Sequence, residues 1–270
     1  MATQLFVIYD TDGCSLQDSE SFRLHDFASA FERNPRVFTT FVAASRGESF
    51  RIIGLERHIS RLLRDAGEFH LPRFLDANDI ERGLFSALRS FHENFPTITD
   101  IRIRLVAGNN ALEIFLDQFV RRHPYNASVS VVAFTGERKF SAQKTTLTTT
   151  SLAAHDAALK KHSDDAILVT PGGLVTEGAW SNIFWCTATG DLYTTEHQIL
   201  HGVTRSLIMD RFDTRRAVVH LDDLKRLASE IFLTQSTDGI IPVSSIDAHP
   251  VGDGSIGPQT LKIMDWYEHL

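Results

Sequence analysis

Cysteine is nearly missing from this chain: 270 residues hold two, Cys14 and Cys186, with no C-x-x-C. A disulfide framework and a cysteine-rich zinc site are therefore excluded. Long hydrophobic runs are lacking too. No stretch approaches the roughly 18–20 apolar residues that cross a bilayer, so no membrane partner is expected. The opening MATQLFVIYD has no basic segment ahead of its apolar residues and does not read as a signal peptide. Nor is there a basic excess. With 27 Lys+Arg against 34 Asp+Glu the formal charge is −7, and a phosphate-tracking protein normally shows the opposite balance. Nucleic acid is thus excluded as the expected partner. The sequence has no G-x-S-x-G elbow and no P-loop, which removes the acyl-hydrolase and nucleotide-hydrolase readings. Its 12 histidines offer no H-E-x-x-H or other zinc spacing, so no metal is expected. What remains is 43% hydrophobic and 23% charged, the composition of a core-forming, cytoplasmic enzyme or binding protein.

The hydrophobic pattern predicts mixed strands and helices. FVIYD and RVFTTFVAA carry strand composition, and the second puts Val37, Thr39 and Phe41 on one face. Leu55, Ile59, Leu62, Leu63 and Ala66 form one stripe of an amphipathic helix, punctuated by Gly67 and Pro72. Ile80, Leu84, Leu88, Phe91 and Phe95 predict a second helix, stopped by Pro96. IRIRLVA and LEIFLDQF then read as a hairpin through Gly108, Asn109 and Asn110, residues that tolerate positive φ. Ile101, Ile103 and Leu105 face inward on it, with Arg102 and Arg104 on the other side. RRHPYN (121–126) is polar and Pro-containing, the best boundary between a small domain over 1–122 and a larger one over 123–270. The larger part opens with the strand SVSVVAF and a helix over Leu152–His162, followed by a run of short strands. Helix 203–213, strand AVVHL, helix 222–229, strand IFLTQ and a helix from Pro258 complete an α+β plan.

One motif misleads. GDGSIG (252–257) matches G-x-G-x-x-G literally. A dinucleotide site also needs a preceding strand, a βαβ unit and an acid about 20 residues on, and the sequence stops at Leu270. It reads as a loop before a Pro-started helix.

The informative stretch is Lys144–Phe184, KTTLTTTSLAAHDAALKKHSDDAILVTPGGLVTEGAWSNIF. Alone, Lys144 is a surface lysine and Glu177 a strand-end carboxylate. Together, a lysine before a helix, VTEG closing a hairpin and SNIF opening the next strand resemble the class IV aminotransferases. Three further pieces agree in order. ERHISRLLRDAG (56–67) is similar to the family's H-x-x-R-L-x-x-S-A helix, with His58, Arg61 and Leu62 in register. ILHGVTRSLIMD (199–210) is similar to its G-I-T-R stretch, through Gly202, Val203, Thr204 and Arg205. FLTQSTDGIIPV (232–243) resembles the late strand-turn that ends in Pro-Val.

The resemblance implies the two-domain fold type IV architecture, with a small α/β domain and a larger domain whose mixed, barrel-like sheet is surrounded by helices. It also implies the cofactor pyridoxal 5′-phosphate. Lys144 is then the Schiff-base lysine that moves a proton at the substrate Cα, and Glu177 the carboxylate that keeps the pyridine nitrogen protonated. Arg61 and the helix start at Val203 and Thr204 are implied as phosphate ligands. Ser236 and Thr237 fall where relatives offer donors to phosphate or substrate, or form a simple turn. Arg102 occupies a strand position where branched-chain members place an arginine near the substrate carboxylate, or is an outward-facing strand arginine. Trp180 stands where small residues usually sit beside the glutamate and would narrow the pocket.

Some departures bear on substrate. Thr149 replaces a tyrosine common five residues after the lysine, and Ala107-Gly108 stands where D-amino-acid aminotransferases carry Arg-Gly. The expected reaction moves an amino group between an amino donor and a 2-oxo acid. The alternative is the 4-amino-4-deoxychorismate lyase reaction, giving 4-aminobenzoate and pyruvate on the same fold. A homodimer is implied by the resemblance in either case.

Overall fold

The computed structural model describes residues 4–10, 13–17, 35–47, 49–69, 76–108 and 111–270. Pro72, Asn109 and Asn110 lie outside them. Contacts divide the chain into two compact units, one of Met1–Val120 with Gln143–Leu147, the other of Arg121–Ala142 with Thr148–Leu270.

The first unit holds a six-stranded antiparallel sheet. Its strands are β1 (Gln4–Asp10), β2 (Gly13–Gln17), β3 (Val37–Arg46), β4 (Ser49–Ile52), β5 (Asp100–Ala107) and β6 (Leu112–Gln118), in the order β2-β1-β6-β5-β3-β4. Two helices, α1 (Leu55–Glu68) and α2 (Ala77–Asn94), follow β4. Asp76 starts α2 with a reciprocal capping box to Asp79, which satisfies two helix-end donors. Period-two alternation turns Val37, Phe41, Ile101, Ile103, Leu105 and Ile114 toward one core with Ile59 and Leu62 of α1 and Leu84, Leu88 and Phe91 of α2. The opposite sheet face carries Phe38, Thr40, Arg102, Arg104, Glu113, Phe115 and Asp117.

Strand β4 pairs only with the end of β3, from Ala43 to Arg46. The start of β3 on that edge is covered by the segment 143–147. Phe38 N–H donates to the Lys144 carbonyl at 2.9 Å, Thr146 N–H to the Arg36 carbonyl at 2.9 Å, and Val37 bridges Thr145. Three residues thus bind as an added strand, which fixes the Lys144 backbone to the sheet.

The second unit has a nine-stranded mixed sheet. It comprises β7 (Val129–Thr135), β8 (Asp165–Val169), β9 (Val175–Gly178), β10 (Asn182–Thr187), β11 (Leu192–Thr195), β12 (Thr214–Ala217), β13 (Ala228–Gln235), β14 (Gly239–Ile246) and β15 (His249–Pro250). The order is β12-β11-β10-β13-β14-β7-β8-β9, with β15 on β14. Its helices are α3 (Thr149–Lys160), α4 (Val203–Arg211), α5 (Leu221–Leu227) and α6 (Pro258–Glu268). One core gathers Val129, Ile167, Trp185, Leu224, Leu233 and Val243. A second, under α3, gathers Val132, Ala154, Ala158, Ala166 and Leu168. An antiparallel and a mixed sheet with packed helices are the α+β plan the sequence pattern predicts.

Several boundaries differ from expectation. Helix α3 begins at Thr149, three residues before Leu152. Of the strand expected at AVVHL, only Ala217 lies in β12, because β11 recruits Thr214–Ala217 in parallel pairing. Val218 is left 61% exposed, and His220 becomes the N-cap of α5. Helix α5 then stops at Leu227, since Ala228 already pairs with Thr187.

Cys186 is buried in β10, and burial pushes its thiol up to about 12, so it supplies no nucleophile. GDGSIG lies in the turn before α6 and holds no βαβ unit. The start of α6 is held instead by buried Glu230 of β13. Its carboxylate accepts from Thr260 N–H and Oγ1–H, each at 2.7 Å, and from Gln259 N–H at 3.2 Å. That places a negative charge at the positive end of the helix.

Candidate active site

Glu177 closes β9 and is buried. Arg138 Nε donates to its Oε1 at 2.7 Å, and Leu200 N–H to its Oε2 at 2.9 Å. Asn182 Nδ2 donates to the same Oε2 at 3.4 Å and to the Leu200 carbonyl at 2.7 Å. Three donors, one of them a guanidinium, hold the carboxylate in one orientation. Asn182 belongs to the N-x-F motif, but Arg138, six residues before Lys144, carried no signal in the sequence.

The same loop leads into α4. Its N-cap, Gly202, has no side-chain cap, so the first helical amides, including those of Val203 and Thr204, open at the helix start. A Cβ on Gly202 would lie 2.1 Å from Asn182 Oδ1, hence the glycine. Thr204 is buried, its hydroxyl 3.4 Å from Ser236 Oγ and 3.3 Å from Tyr267 Oη. Arg205 ties α4 to β11, donating to the Thr195 carbonyl at 2.9 Å; burial lowers its pKa. The Thr237 hydroxyl lies 3.0 Å from Gln235 Oε1 and 3.1 Å from Asp238 Oδ2. Trp180 packs against the alanine-rich core under α3.

These groups suit a phosphorylated pyridine on chemical grounds. A helix start with open amides and two hydroxyls accepts a phosphate dianion. A carboxylate oriented by a guanidinium at the other side of the 200–202 turn suits a protonated ring nitrogen. Thr234 Oγ1 and Ser181 Oγ are buried without a hydrogen-bond partner among the described residues. Thr234 lies directly across the ladder from Asn182, on the face that carries Glu177's partner. A polar ligand would satisfy such atoms.

The first unit carries Arg61, Arg102 and Lys144. Asp65 Oδ2 of α1 accepts the Lys144 N–H at 3.0 Å. Asp65 stands where the H-x-x-R-L-x-x-S-A pattern has serine, and that departure is the signal that could have singled it out. Arg61 Nη2 donates to Thr39 Oγ1 at 2.9 Å, and Thr39 Oγ1 lies 2.7 Å from His58 Nδ1. The Thr39 hydroxyl thus joins Arg61 to the His58 ring, with the donor of the second bond set by the imidazole tautomer. Burial first, then the charges of Arg61 and Lys144, hold the His58 pKa well below the ordinary imidazole value. Arg102 is engaged by Asp117 through both carboxylate oxygens, with Nε to Oδ1 at 2.9 Å.

His58 predicts a pH dependence of stability. It stays neutral in the folded chain while the unfolded chain takes up a proton near the ordinary imidazole pKa, about 6.5. Stability is therefore full above that value and falls as pH drops toward the folded pKa, with a slope of at most about 1.4 kcal/mol per pH unit. Urea unfolding at a series of pH values below 7 should show this contribution. His58→Asn, which keeps an acceptor for Thr39, should remove it.

Among the described residues no group of three or more His, Cys, Asp or Glu could hold a metal ion, and no helix is long and apolar enough to cross a membrane.

Comparison with known proteins gives one family. The profile described as amino-transferase class IV matches residues 36–246. A D-alanine aminotransferase of Bacillus licheniformis is 27% identical over 239 residues, 77% of this chain and 79% of that one. A protein named as a probable branched-chain-amino-acid aminotransferase of Aquifex aeolicus is 34% identical over 126 residues. That match spans 43% of this chain and 40% of that relative's length. Among solved structures, a fold IV transaminase from Curtobacterium pusillum aligns with a TM-score of 0.82 at 18% identity, covering 99% of this chain and 98% of that one. It shares the fold.

Proposed function

We propose a function from one premise: this chain belongs to the class IV aminotransferase family. It transfers an amino group between an amino donor and a 2-oxo acid, using pyridoxal 5′-phosphate, the cofactor of the family. The observation that carries the reading is Glu177, buried and held by Arg138, Asn182 and the Leu200 amide, with the open helix start at Val203 two residues beyond the 200–201 turn.

Bound pyridoxal phosphate supplies an electron sink conjugated to the substrate Cα. Every other part of the work falls to the chain's own residues. Glu177, oriented by Arg138, is assigned to hold a proton on the ring nitrogen. The amides of Val203 and Thr204, with the hydroxyls of Thr204 and Ser236, are assigned to the phosphate. Arg61, fixed by Thr39, is assigned to the same dianion as its cation. Thr237 is assigned a supporting role at the 236–238 turn. Lys144 Nζ is the group that takes the proton from the substrate Cα and returns it on the far side of the reaction. Asp65 holds the Lys144 peptide, so the amine is presented from a fixed backbone. A homodimer belongs to this reading and is checked by light scattering on the purified protein.

The test is the absorbance spectrum of purified protein, before and after addition of single donors from a broad amino-acid panel. A cofactor band that a donor alone converts, with release of the matching 2-oxo acid, is expected. A protein that no donor converts, or that releases pyruvate from 4-amino-4-deoxychorismate with no acceptor present, would overturn transamination.

A further inference from the structure

Helix α1 buries a polar row beside its apolar stripe. His58, Arg61 and Asp65 recur at helical spacing, and all three are buried. Asp65 is the member that general stability rules do not favour. It is 1% exposed, and a carboxylate is costly to bury. It also stands in the last turn of the helix, where the macrodipole disfavours negative charge. A serine, the residue of the H-x-x-R-L-x-x-S-A pattern, would carry neither cost.

The partners of this carboxylate show what it does. Arg64 Nη2, on a half-exposed side chain, donates to Asp65 Oδ1 at 2.9 Å. The Lys144 N–H donates to Oδ2 at 3.0 Å. Glu68, three residues on, accepts from Gln143 Nε2, so the same end of α1 takes two consecutive residues of the segment 143–147. From its other side, β3 binds the Lys144 carbonyl through the Phe38 amide. The two grips act on different peptide groups. The N–H belongs to the planar unit before the Lys144 Cα and the carbonyl to the one after it, so α1 and β3 together fix the backbone on both sides of that carbon. The direction in which the side chain leaves the backbone is thereby set.

We propose that Asp65 is a positioning residue for the reaction, and that the reach of its carboxylate to the Lys144 amide sets the aim of the Lys144 amine. The proposal deepens the aminotransferase reading and rests on it. A lysine amine ends a flexible four-carbon stem, so its aim depends on the backbone it starts from. Proton transfer tolerates little error in that aim, and a misplacement of about 1 Å can cost about a hundredfold in rate. A hydrogen bond to a carboxylate is roughly twice as strong as one between neutral groups, which suits it to hold a single peptide. A serine hydroxyl sits one bond nearer to the helix and would not span the same gap.

The experiment uses the full-length holoenzyme with the best donor of the panel. Asp65→Ala should lower kcat about a hundredfold with KM within about twofold, the split expected when a reacting group is misplaced and binding is kept. Asp65→Asn keeps an acceptor oxygen at the same reach and should recover most of the rate, whereas Asp65→Ser should stay close to Asp65→Ala. A second readout does not depend on turnover. Hydrogen exchange at the Lys144 amide, read by mass spectrometry on peptides covering 143–147, should be at least about tenfold faster in Asp65→Ala and near the parent in Asp65→Asn. The assignment is overturned by an unchanged kcat or unchanged exchange in Asp65→Ala, or by a rise in KM as large as the fall in kcat. A parent-like rate in Asp65→Ser, or an Asp65→Asn protein as slow as Asp65→Ala, would overturn it too. Failure of the aminotransferase reading looks different, because the unsubstituted protein would then turn over no donor while the exchange pattern stood.

Discussion

Lys144→Ala is expected to lower transamination by at least about a thousandfold while leaving the thermal unfolding midpoint nearly unchanged. The two effects separate because the side chain and the backbone of Lys144 do different things. Its amide and carbonyl bind Asp65 and Phe38, and alanine keeps both bonds. Its amine is the proposed proton carrier, and alanine has none. Lys144→Arg should be nearly as inactive, since a guanidinium does not give up its proton near neutral pH. Steady-state rates with the best donor, beside circular-dichroism melts, check the separation. A Lys144→Ala protein with more than about a tenth of the parent rate would sink the role assigned to this residue.

Glu177→Ala is expected to cost both stability and activity. The carboxylate is buried against Arg138, so its removal leaves a guanidinium without its counter-charge and the Leu200 amide without its acceptor. Breaking one half of a buried pair typically costs about 3–5 kcal/mol. The double variant Glu177→Ala/Arg138→Ala should be less destabilised than the sum of the single ones, the signature of direct coupling. Activity should not recover in the double variant, because the ring nitrogen still lacks its carboxylate. Chemical denaturation of the four proteins gives the cycle, and turnover with one donor gives the second readout. If Glu177→Ala melted with the parent and kept its rate, Glu177 would have neither role.

The fold was most readable where one face is buried and the other is not. Val37, Thr39 and Phe41 alternate with Phe38 and Thr40, and the stripes of α1 and α2 repeat at helical spacing, so local pattern and tertiary burial agree. Reading failed where tertiary pairing overrides local preference. Val218 and Val219 have strong strand propensity, yet the strand partner β11 takes Thr214–Ala217 instead. The short strands β2, β4 and β15 escaped notice because each is too short for a period to stand out from its surroundings. At the proposed site, Lys144, Glu177 and Thr204 stood out through the family resemblance of the motifs that carry them. Their supports did not: Arg138 acts across 39 positions on Glu177, and Tyr267 across 63 on Thr204. The pairing of Arg102 with Asp117 was equally hidden, because it depends on the register of β5 with β6.

The hold of Glu230 on α6 has a consequence for handling the protein. The helix start is anchored by three hydrogen bonds to one carboxylate, and a Cβ on Gly257 would lie 2.1 Å from that carboxyl carbon. The same helix delivers the Tyr267 hydroxyl to Thr204. A protease nick in the 252–256 turn would therefore leave a peptide with its own docking address. Such a nicked protein should behave as a complementing fragment pair, in which a synthetic peptide spanning α6 restores what its removal takes away.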